Sequence, residues 1–341
     1  MHINSFKLLF RKMYFVIDNS IDPWWNLAAE EYLFKKVDKP IFRLWQNNNA
    51  IIIGHHQNAY AEINTEYVRD KGIKVVRRLT GGGAVFHDLG NVNFTFIDNV
   101  NTTEDSAAMF ARFTKPIIDA LKELKVDAYL EGRNDLLIDG KKFSGNAVAR
   151  YKNRLLQHGT LLFSASMTDL SNALASRPEK FTGKSVQSNR SRVTNISEHL
   201  TNSMTIDEFI NHLHNFIAGE SSGYTQYCYS EEDIEAIKEL RDTKYSLDSW
   251  NYGKSPSYSY SKIIKFPAGL LELYLQVEKG IIEDIKIYGD YFFNSETEEL
   301  EDLIRGCRHS YNGVKERLGK INLSDYISNI EGEEFLSLFW E

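Results

Sequence analysis

Cysteine is nearly absent: the 341 residues hold two, Cys228 and Cys307. Two distant thiols exclude a disulfide framework and a cysteine-based metal site, and they fit a reducing, cytoplasmic location. No apolar run approaches the ~18 residues of a membrane span. A basic excess is missing too. With 40 Lys and Arg against 47 Asp and Glu, the formal charge is −7, which argues against a general nucleic-acid binder. Several motifs are also lacking. G-x-x-x-x-G-K-[ST] does not occur, Phe86 stands where G-x-G-x-x-G needs its third glycine, and there is no G-x-S-x-G elbow. A P-loop NTPase, a Rossmann dehydrogenase and a serine hydrolase of the elbow type therefore lose their sequence support.

What is present is an ordinary globular composition, 42% hydrophobic and 26% charged, with length enough for two domains. The most informative run is Arg77-Arg78-Leu79-Thr80-Gly81-Gly82-Gly83-Ala84-Val85-Phe86-His87-Asp88. Three glycines beside two arginines form an anion cradle, although glycine clusters also mark plain turns. The run Lys74-Val75-Val76 enters it as a strand and Ala84-Val85-Phe86 leaves it as one. A helix is expected from Asp22, which caps, with Pro23 in its first turn. Strands are expected at 41–45, 50–54, 91–97 and 155–163. A helix over 103–124 should kink or restart at Pro116. Thr205-x-x-Glu208 is a capping box, and Asp139-Gly140 reads as a hairpin turn.

Taken together these elements predict an α+β fold with mixed and antiparallel sheets and packed helices. The Ser/Tyr/Gly/Pro-rich stretch 248–260 reads as a linker. It separates a domain over 13–247 from a small α+β domain over 261–341. Residues 1–12 read as an extension, with Met13 an alternative start.

Three further clusters carry polar chemistry. Gly132-Arg133-Asn134-Asp135 precedes Lys141-Lys142-Phe143-Ser144, where strand alternation puts Lys142 and Ser144 on one face and Lys141 and Phe143 on the other. A surface hairpin with two solvated lysines has the same pattern. Gln157-His158-Gly159-Thr160 puts a histidine on a strand, where a structural role is the commoner one. Ser188-Asn189-Arg190-Ser191-Arg192-Val193 is a basic loop able to close over phosphate. His55-His56 and His212-x-His214 lack the neighbours a metal site needs.

In order and spacing these segments resemble the lipoate–protein ligase family, which shares a superfamily with biotin ligases and octanoyltransferases. Asp22-Pro23-Trp24-Trp25-Asn26-Leu27-Ala28 matches as well. The resemblance covers most of residues 13–247, and the tail looks like the family's accessory domain. It implies that Arg77 to Ala84, including Leu79, Gly81, Gly82 and Gly83, form a lipoate-binding loop, joined by His87 and His158. It also implies that Arg78, Gly83, Ala84, Val85 and Phe86 contact nucleotide with Asn134 and Asp135. Arg190 and Arg192 match an adenylate-binding loop. Lys142 matches the catalytic lysine, which touches both acyl carboxylate and phosphate. Trp24, Trp25, Leu79 and Phe86 are expected as walls of the acyl slot. Three departures stand out: His55 where relatives often have arginine, Asn189 for an apolar residue, and the 1–12 extension.

The implied activity is ATP-dependent. Lipoate becomes lipoyl-adenylate with release of pyrophosphate, and a lysine of an acceptor lipoyl domain then takes the acyl group. ATP, Mg²⁺ and lipoate are the implied ligands. Acceptor domains of 2-oxoacid dehydrogenase complexes or the glycine-cleavage H protein are the implied partners, with no nucleic acid or membrane. An ATP-independent octanoyl or lipoyl transferase and a non-catalytic lipoate or adenylate sensor remain the alternatives. The transferase would require a cysteine nucleophile, and neither cysteine lies within the matching motifs.

Overall fold

The computed structural model describes residues 13–99, 106–132, 134–174, 193–220, 225–252, 260–278 and 280–340. The expected extension 1–12, the loop residues Asn189, Arg190 and Arg192, and most of the 248–260 linker lie outside them.

An eight-stranded mixed sheet forms the larger body. Its strands are β1 (Tyr14–Ile17), β2 (Ile41–Trp45), β6 (Asn91–Asn99), β7 (Ala128–Glu131), β8 (Asp135–Ile138), β9 (Lys141–Tyr151), β10 (Arg154–Leu162) and β11 (Thr225–Tyr227), in the order β11-β1-β2-β6-β10-β9-β8-β7. The pairs β11–β1 and β1–β2 are parallel and the rest antiparallel. Beside it stands a three-stranded sheet, β4-β3-β5, made of β3 (Ala50–Ile53), β4 (Lys74–Arg77) and β5 (Val85–His87). There β4 runs parallel to β3 while β5 runs antiparallel. The glycine loop therefore crosses from one edge of this small sheet to the other.

Helices Ser106–Glu123 and Ile206–Glu220 cover one face of the large sheet. Their apolar stripes (Phe113, Ile117, Leu121, and Phe209, Leu213, Ile217) close on Phe94, Phe96, Leu136 and Phe143. Pro116 lies inside one continuous helix rather than restarting it. The expected restart is absent, and Thr114 supplies a local side-chain bond, from its hydroxyl to the Phe110 carbonyl at 2.6 Å. Helix Pro23–Lys36 starts as expected, with Asp22 accepting from the Trp24 N–H. It is buried on more than one face: Leu27, Ala28, Leu33 and Phe34 pack into the core, while Asn26, Glu30 and Glu31 are buried and polar.

The C-terminal body has its own core. Strands β12 (Tyr260–Phe266), β13 (Gly269–Glu278) and β14 (Ile281–Gly289) form an antiparallel sheet. Helices Thr297–Ile304 and Tyr311–Leu318 and the segment up to Phe339 pack on it through Leu273, Ile285, Leu300, Val314 and Phe335. It touches the glycine loop directly: a Cβ on Gly81 would stand 2.3 Å from the Tyr291 carbonyl oxygen. No described helix is long and apolar enough to cross a membrane.

The β8–β9 hairpin turns as the Asp139-Gly140 pair predicts, with φ of 51° and 73° at the two residues. Nothing lies within 4 Å of a Cβ placed on Gly140, so a substitution there meets only backbone strain. Gly140→Val should lower the unfolding free energy by about 1–3 kcal/mol, read from the urea midpoint. An unchanged midpoint would show that the turn relaxes.

Candidate active site

The two arginines that enter the glycine loop are both buried and do different work. Arg77 points away from the loop. Its guanidinium donates to the carbonyls of Gly54, His55 and Gln57 at 2.7–3.0 Å, and to those of Trp250 and Asn251 at 3.0 and 2.9 Å. Arg78 turns inward. Its Nε donates to the Thr80 hydroxyl at 2.8 Å and its terminal nitrogens donate to the carbonyls of Ile52, Gly81 and Gly83. Burial pushes both guanidiniums down to about 10, so both stay charged at neutral pH. Gly82 sits at φ 89°, and a Cβ there would stand 3.1 Å from Arg78 Nη2. Glycine is required at Gly82 for both reasons.

Lys142 comes from the β8–β9 hairpin. Its ammonium pairs with Asp135 at 2.8 Å, and both side chains are only about two-fifths exposed (39% and 38%). A register shift between Leu136 and Leu137 leaves Leu136 opposite Ser144 and Leu137 opposite Lys142. That bulge at Phe143 buries the ring in the core while Lys142 and Ser144 face a common space. Lys141 is exposed. Gly145 makes room for the lysine: a Cβ there would stand 3.0 Å from Lys142 Nζ.

Two cavities meet at this lysine. The inner one, about 130 Å³, is walled by Leu27, Trp45, Ile52, Val85, Ala147 and Gly159, with Arg78, His87, Asn134, Asn146 and His158 as its polar groups. The outer one is about 650 Å³ and is bounded by Phe86, Glu131, Asp135, Ser144, Leu170 and Val193. Ala84, Val85, Lys142, Gly145 and Thr160 border both. A narrow, largely apolar slot thus opens past one ammonium into a wider chamber of mixed lining.

Under the slot runs a chain of buried hydrogen bonds. Thr80 meets His158 Nε2 at 2.7 Å, and His158 Nδ1 bonds both Glu30 carboxylate oxygens at 2.9 and 3.0 Å. Trp45 donates to Thr95 at 2.9 Å, and Thr95 donates to Glu30 at 2.7 Å. Burial raises the Glu30 carboxyl, but the His158 charge and bond, Thr95 and Arg43 outweigh it and hold the group below its ordinary value. Asn47 Nδ2 donates to His87 Nδ1 at 3.1 Å, which leaves the proton on Nε2. That nitrogen and Asn146 Oδ1 are buried without a partner among the described residues. Both belong to residues lining the inner slot, so each has capacity for a bound ligand.

The structure therefore brings together Arg78, Gly82, Gly83, Ala84, Val85, Phe86, His87, Asn134, Asp135, Lys142 and His158 around the joined cavities. Arg77, Leu79 and Gly81 do not reach them. Leu79 packs beside Leu33, Phe34 and Ile41, and Gly81 faces Tyr291. Of the expected slot walls, only Phe86 borders the joined cavities, and it lines the outer chamber rather than the slot. Trp24 lies under Lys74, 4.3 Å from Nζ to ring, and Trp25 Nε1 donates to Asp18. Sequence reasoning missed Glu30, Trp45 and Asn47, and placed Asn146 and Thr160 within candidate segments without giving either a role. The buried polar stripe Asn26-Glu30 on an otherwise apolar helix was the available signal for the first. Cys228 and Cys307 line neither cavity.

Residues 22–218 match the lipoyl protein ligase A/B catalytic domain, and residues 255–339 match the bacterial lipoate protein ligase C-terminus. Lipoate-protein ligase LplJ of Bacillus subtilis is 42% identical, over 96% of this chain and 100% of that one. Plasmodium falciparum LipL1, solved in complex with lipoate, superposes with a TM-score of 0.75 at 26% identity, over 95% of this chain and 97% of that one. A lipoate-protein ligase A bound with ATP superposes at 0.62 and 28% identity, over 71% of this chain and 99% of that one.

His87 generates a pH prediction. Burial, then the charges of Arg78 and His158, push its imidazole down to about 3. The native state holds it neutral, so its contribution is intact above about 6.5 and is lost as pH falls toward 3. Between pH 7 and 5 this site should cost about 2 kcal/mol of stability. His87→Gln should remove that share of the decline while leaving the share of the buried His56. Parallel urea midpoints for the two proteins would refute it.

Proposed function

Because the chain belongs to the lipoate–protein ligase family over both its catalytic and its C-terminal parts, we propose that the joined cavities hold its two substrates on either side of Lys142. The protein is a ligase that uses lipoate and ATP in protein lipoylation. The observation that carries the assignment within the site is the single ammonium at the mouth shared by a narrow apolar slot and a wider chamber that also bears Glu131, Asp135 and Ser144.

The inner slot takes the acyl chain and ring, with the carboxylate at the mouth beside Lys142. The outer chamber takes ATP, with its α-phosphate toward the backbone from Gly83 to Phe86. A carboxylate oxygen bonds to the α-phosphorus as the bond to pyrophosphate breaks. An acceptor lysine amine then attacks the acyl carbon, AMP leaves, and the amine gives up a proton. Negative charge grows at the mouth in both steps, where Lys142 and the buried Arg78 are fixed to meet it. Before substrate arrives Asp135 holds the ammonium, and the carboxylate and phosphate replace that partner. Glu131 and Asp135 give the outer chamber oxygen donors that suit Mg²⁺, which would neutralise phosphate charge. Arg190 and Arg192 are assigned to the nucleotide side. Acceptors are apo lipoyl domains of 2-oxoacid dehydrogenase complexes or the glycine-cleavage H protein.

A cysteine-dependent transferase gains nothing from this geometry, because both thiols are away from the lysine. The test mixes protein, ATP, Mg²⁺, lipoate and an apo lipoyl domain, and follows AMP release and acceptor mass. Lys142→Ala should lower adenylation by about 10²–10³, while Lys141→Ala changes it less than about threefold. Equal losses would place the wrong lysine at the mouth. Acyl transfer that persists without ATP would overturn the two-step reading.

A further inference from the structure

His55, His56 and Glu296 form a cluster that lipoate activation does not use. The histidines sit on the turn after β3. Glu296 occupies the position just before the helix Thr297–Ile304 of the C-terminal body. One donor atom from each lies within 4.8 Å of the others. His55 Nε2 meets Glu296 Oε2 at 3.0 Å. His56 Nδ1 meets the Thr297 hydroxyl at 3.0 Å.

Two imidazole nitrogens here are left over. His55 Nδ1 and His56 Nε2 are buried with no partner among the described residues. Packing explains the rings: His56 stacks on Tyr291 at 5.1 Å, and Phe293 meets both histidines. Hydrogen bonds to Glu296 and Thr297 account for one nitrogen of each ring, but the buried His56 Nε2 is left with capacity for a ligand. A histidine whose other ring nitrogen is fixed by an outer hydrogen-bond partner is the usual form of a metal ligand. Thr297 supplies that partner to His56.

We propose that His55, His56 and Glu296 bind one borderline divalent cation of the zinc type and thereby clamp the C-terminal body onto the catalytic body. Two imidazoles and a carboxylate are a donor set for such an ion, whereas Mg²⁺ prefers oxygen. Tetrahedral donors stand about 3.3 Å apart at bond lengths of about 2.0–2.1 Å, so closing from 4.8 Å takes a small movement. Glu296 has room for it, with a side chain 54% exposed against 14% for His55. The ion replaces the hydrogen bond between His55 Nε2 and Glu296 with two metal bonds and takes its third from the unpartnered His56 Nε2. The clamped turn adjoins the glycine loop: Arg77 holds the carbonyls of Gly54, His55 and Gln57, His55 N–H donates to the Thr80 carbonyl at 2.9 Å, and Gly289 donates to the His56 carbonyl at 2.7 Å.

The test uses full-length, tag-free protein stripped with a chelator and titrated with Zn²⁺ in excess Mg²⁺ by calorimetry. Co²⁺ then reports geometry through its visible tetrahedral absorption. The expected result is one ion per chain, a raised thermal midpoint, and affinity at least tenfold weaker in both Glu296→Gln and His55→Ala. Glu296 is largely exposed, so its variant folds. No saturable 1:1 binding, or wild-type affinity in both variants, would overturn the proposal. Zn²⁺ binding at this site has no bearing on whether Lys142 carries adenylation, so either result stands apart from the ligase assay.

Discussion

Two guanidiniums buried side by side are the constraint around which this site is built. A buried cation must be hydrogen-bonded or it destabilises the fold severely. Neither Arg77 nor Arg78 has a carboxylate in bonding contact among the described residues. Their donors are met by backbone carbonyls instead, and those carbonyls must come to them. Arg77 gathers the turn at Gly54, His55 and Gln57 and the segment at Trp250 and Asn251. Arg78 gathers Ile52, Gly81 and Gly83. The glycine loop has its shape because its carbonyls turn inward to one cation. Gly81 and Gly82 are needed because Tyr291 and Arg78 crowd their Cβ positions, whereas Gly83 borders open space.

The next layer compensates that positive charge without an ion pair. Glu30 is ionised below the slot, and it reaches the loop through His158 and Thr80 rather than by touching Arg78. Each member has a satisfied partner on both sides, which is the condition under which a buried polar network rigidifies rather than weakens a core. The network ties helix Pro23–Lys36, β6, β10 and the glycine loop into one unit. It therefore fixes the slot before any ligand enters, and reorganisation during the reaction is left to the lysine side.

The sequence was most legible where local chemistry decides local structure. Asp139-Gly140 made its turn, Asp22 and Thr205-x-x-Glu208 made their caps, and the alternating run at 91–97 made its strand. The residues around the slot were legible through their similarity in order and spacing, not through any one motif. What failed was direction. Arg77 and Arg78 are adjacent on a strand end and so point oppositely, yet the sequence alone does not say which faces the ligand. Trp24 and Trp25 have the composition of a pocket wall but pack half-buried against the core around Leu27, Ala28 and Tyr245. Pro116 stayed inside a helix because tertiary packing on both sides overrides a local preference. The short parallel strands β1 and β11, 211 positions apart at the partners Phe15 and Gln226, carry no local signature at all, since parallel pairing is decided by the bodies between them. Likewise His55-His56 had no nearby metal partner in sequence, and Glu296 arrives from another body.

The division of labour between the cations follows from how each is held. Arg78 has its nitrogens committed to carbonyls and Thr80, so it has little left to donate to a ligand. Its charge is undiminished, however, and it sits in a dry, low-dielectric wall. At an effective dielectric of about 20, a unit charge about 6 Å away is worth roughly 3 kcal/mol to a developing anion. Lys142 is the opposite case: partly exposed, on a flexible stem, and paired with a carboxylate it can leave. It is suited to contact and to following charge as that charge moves from carboxylate to phosphate. A fixed field from Arg78 and a movable contact from Lys142 serve two successive reactions at one mouth. A single rigid cation would fit the geometry of only one of them.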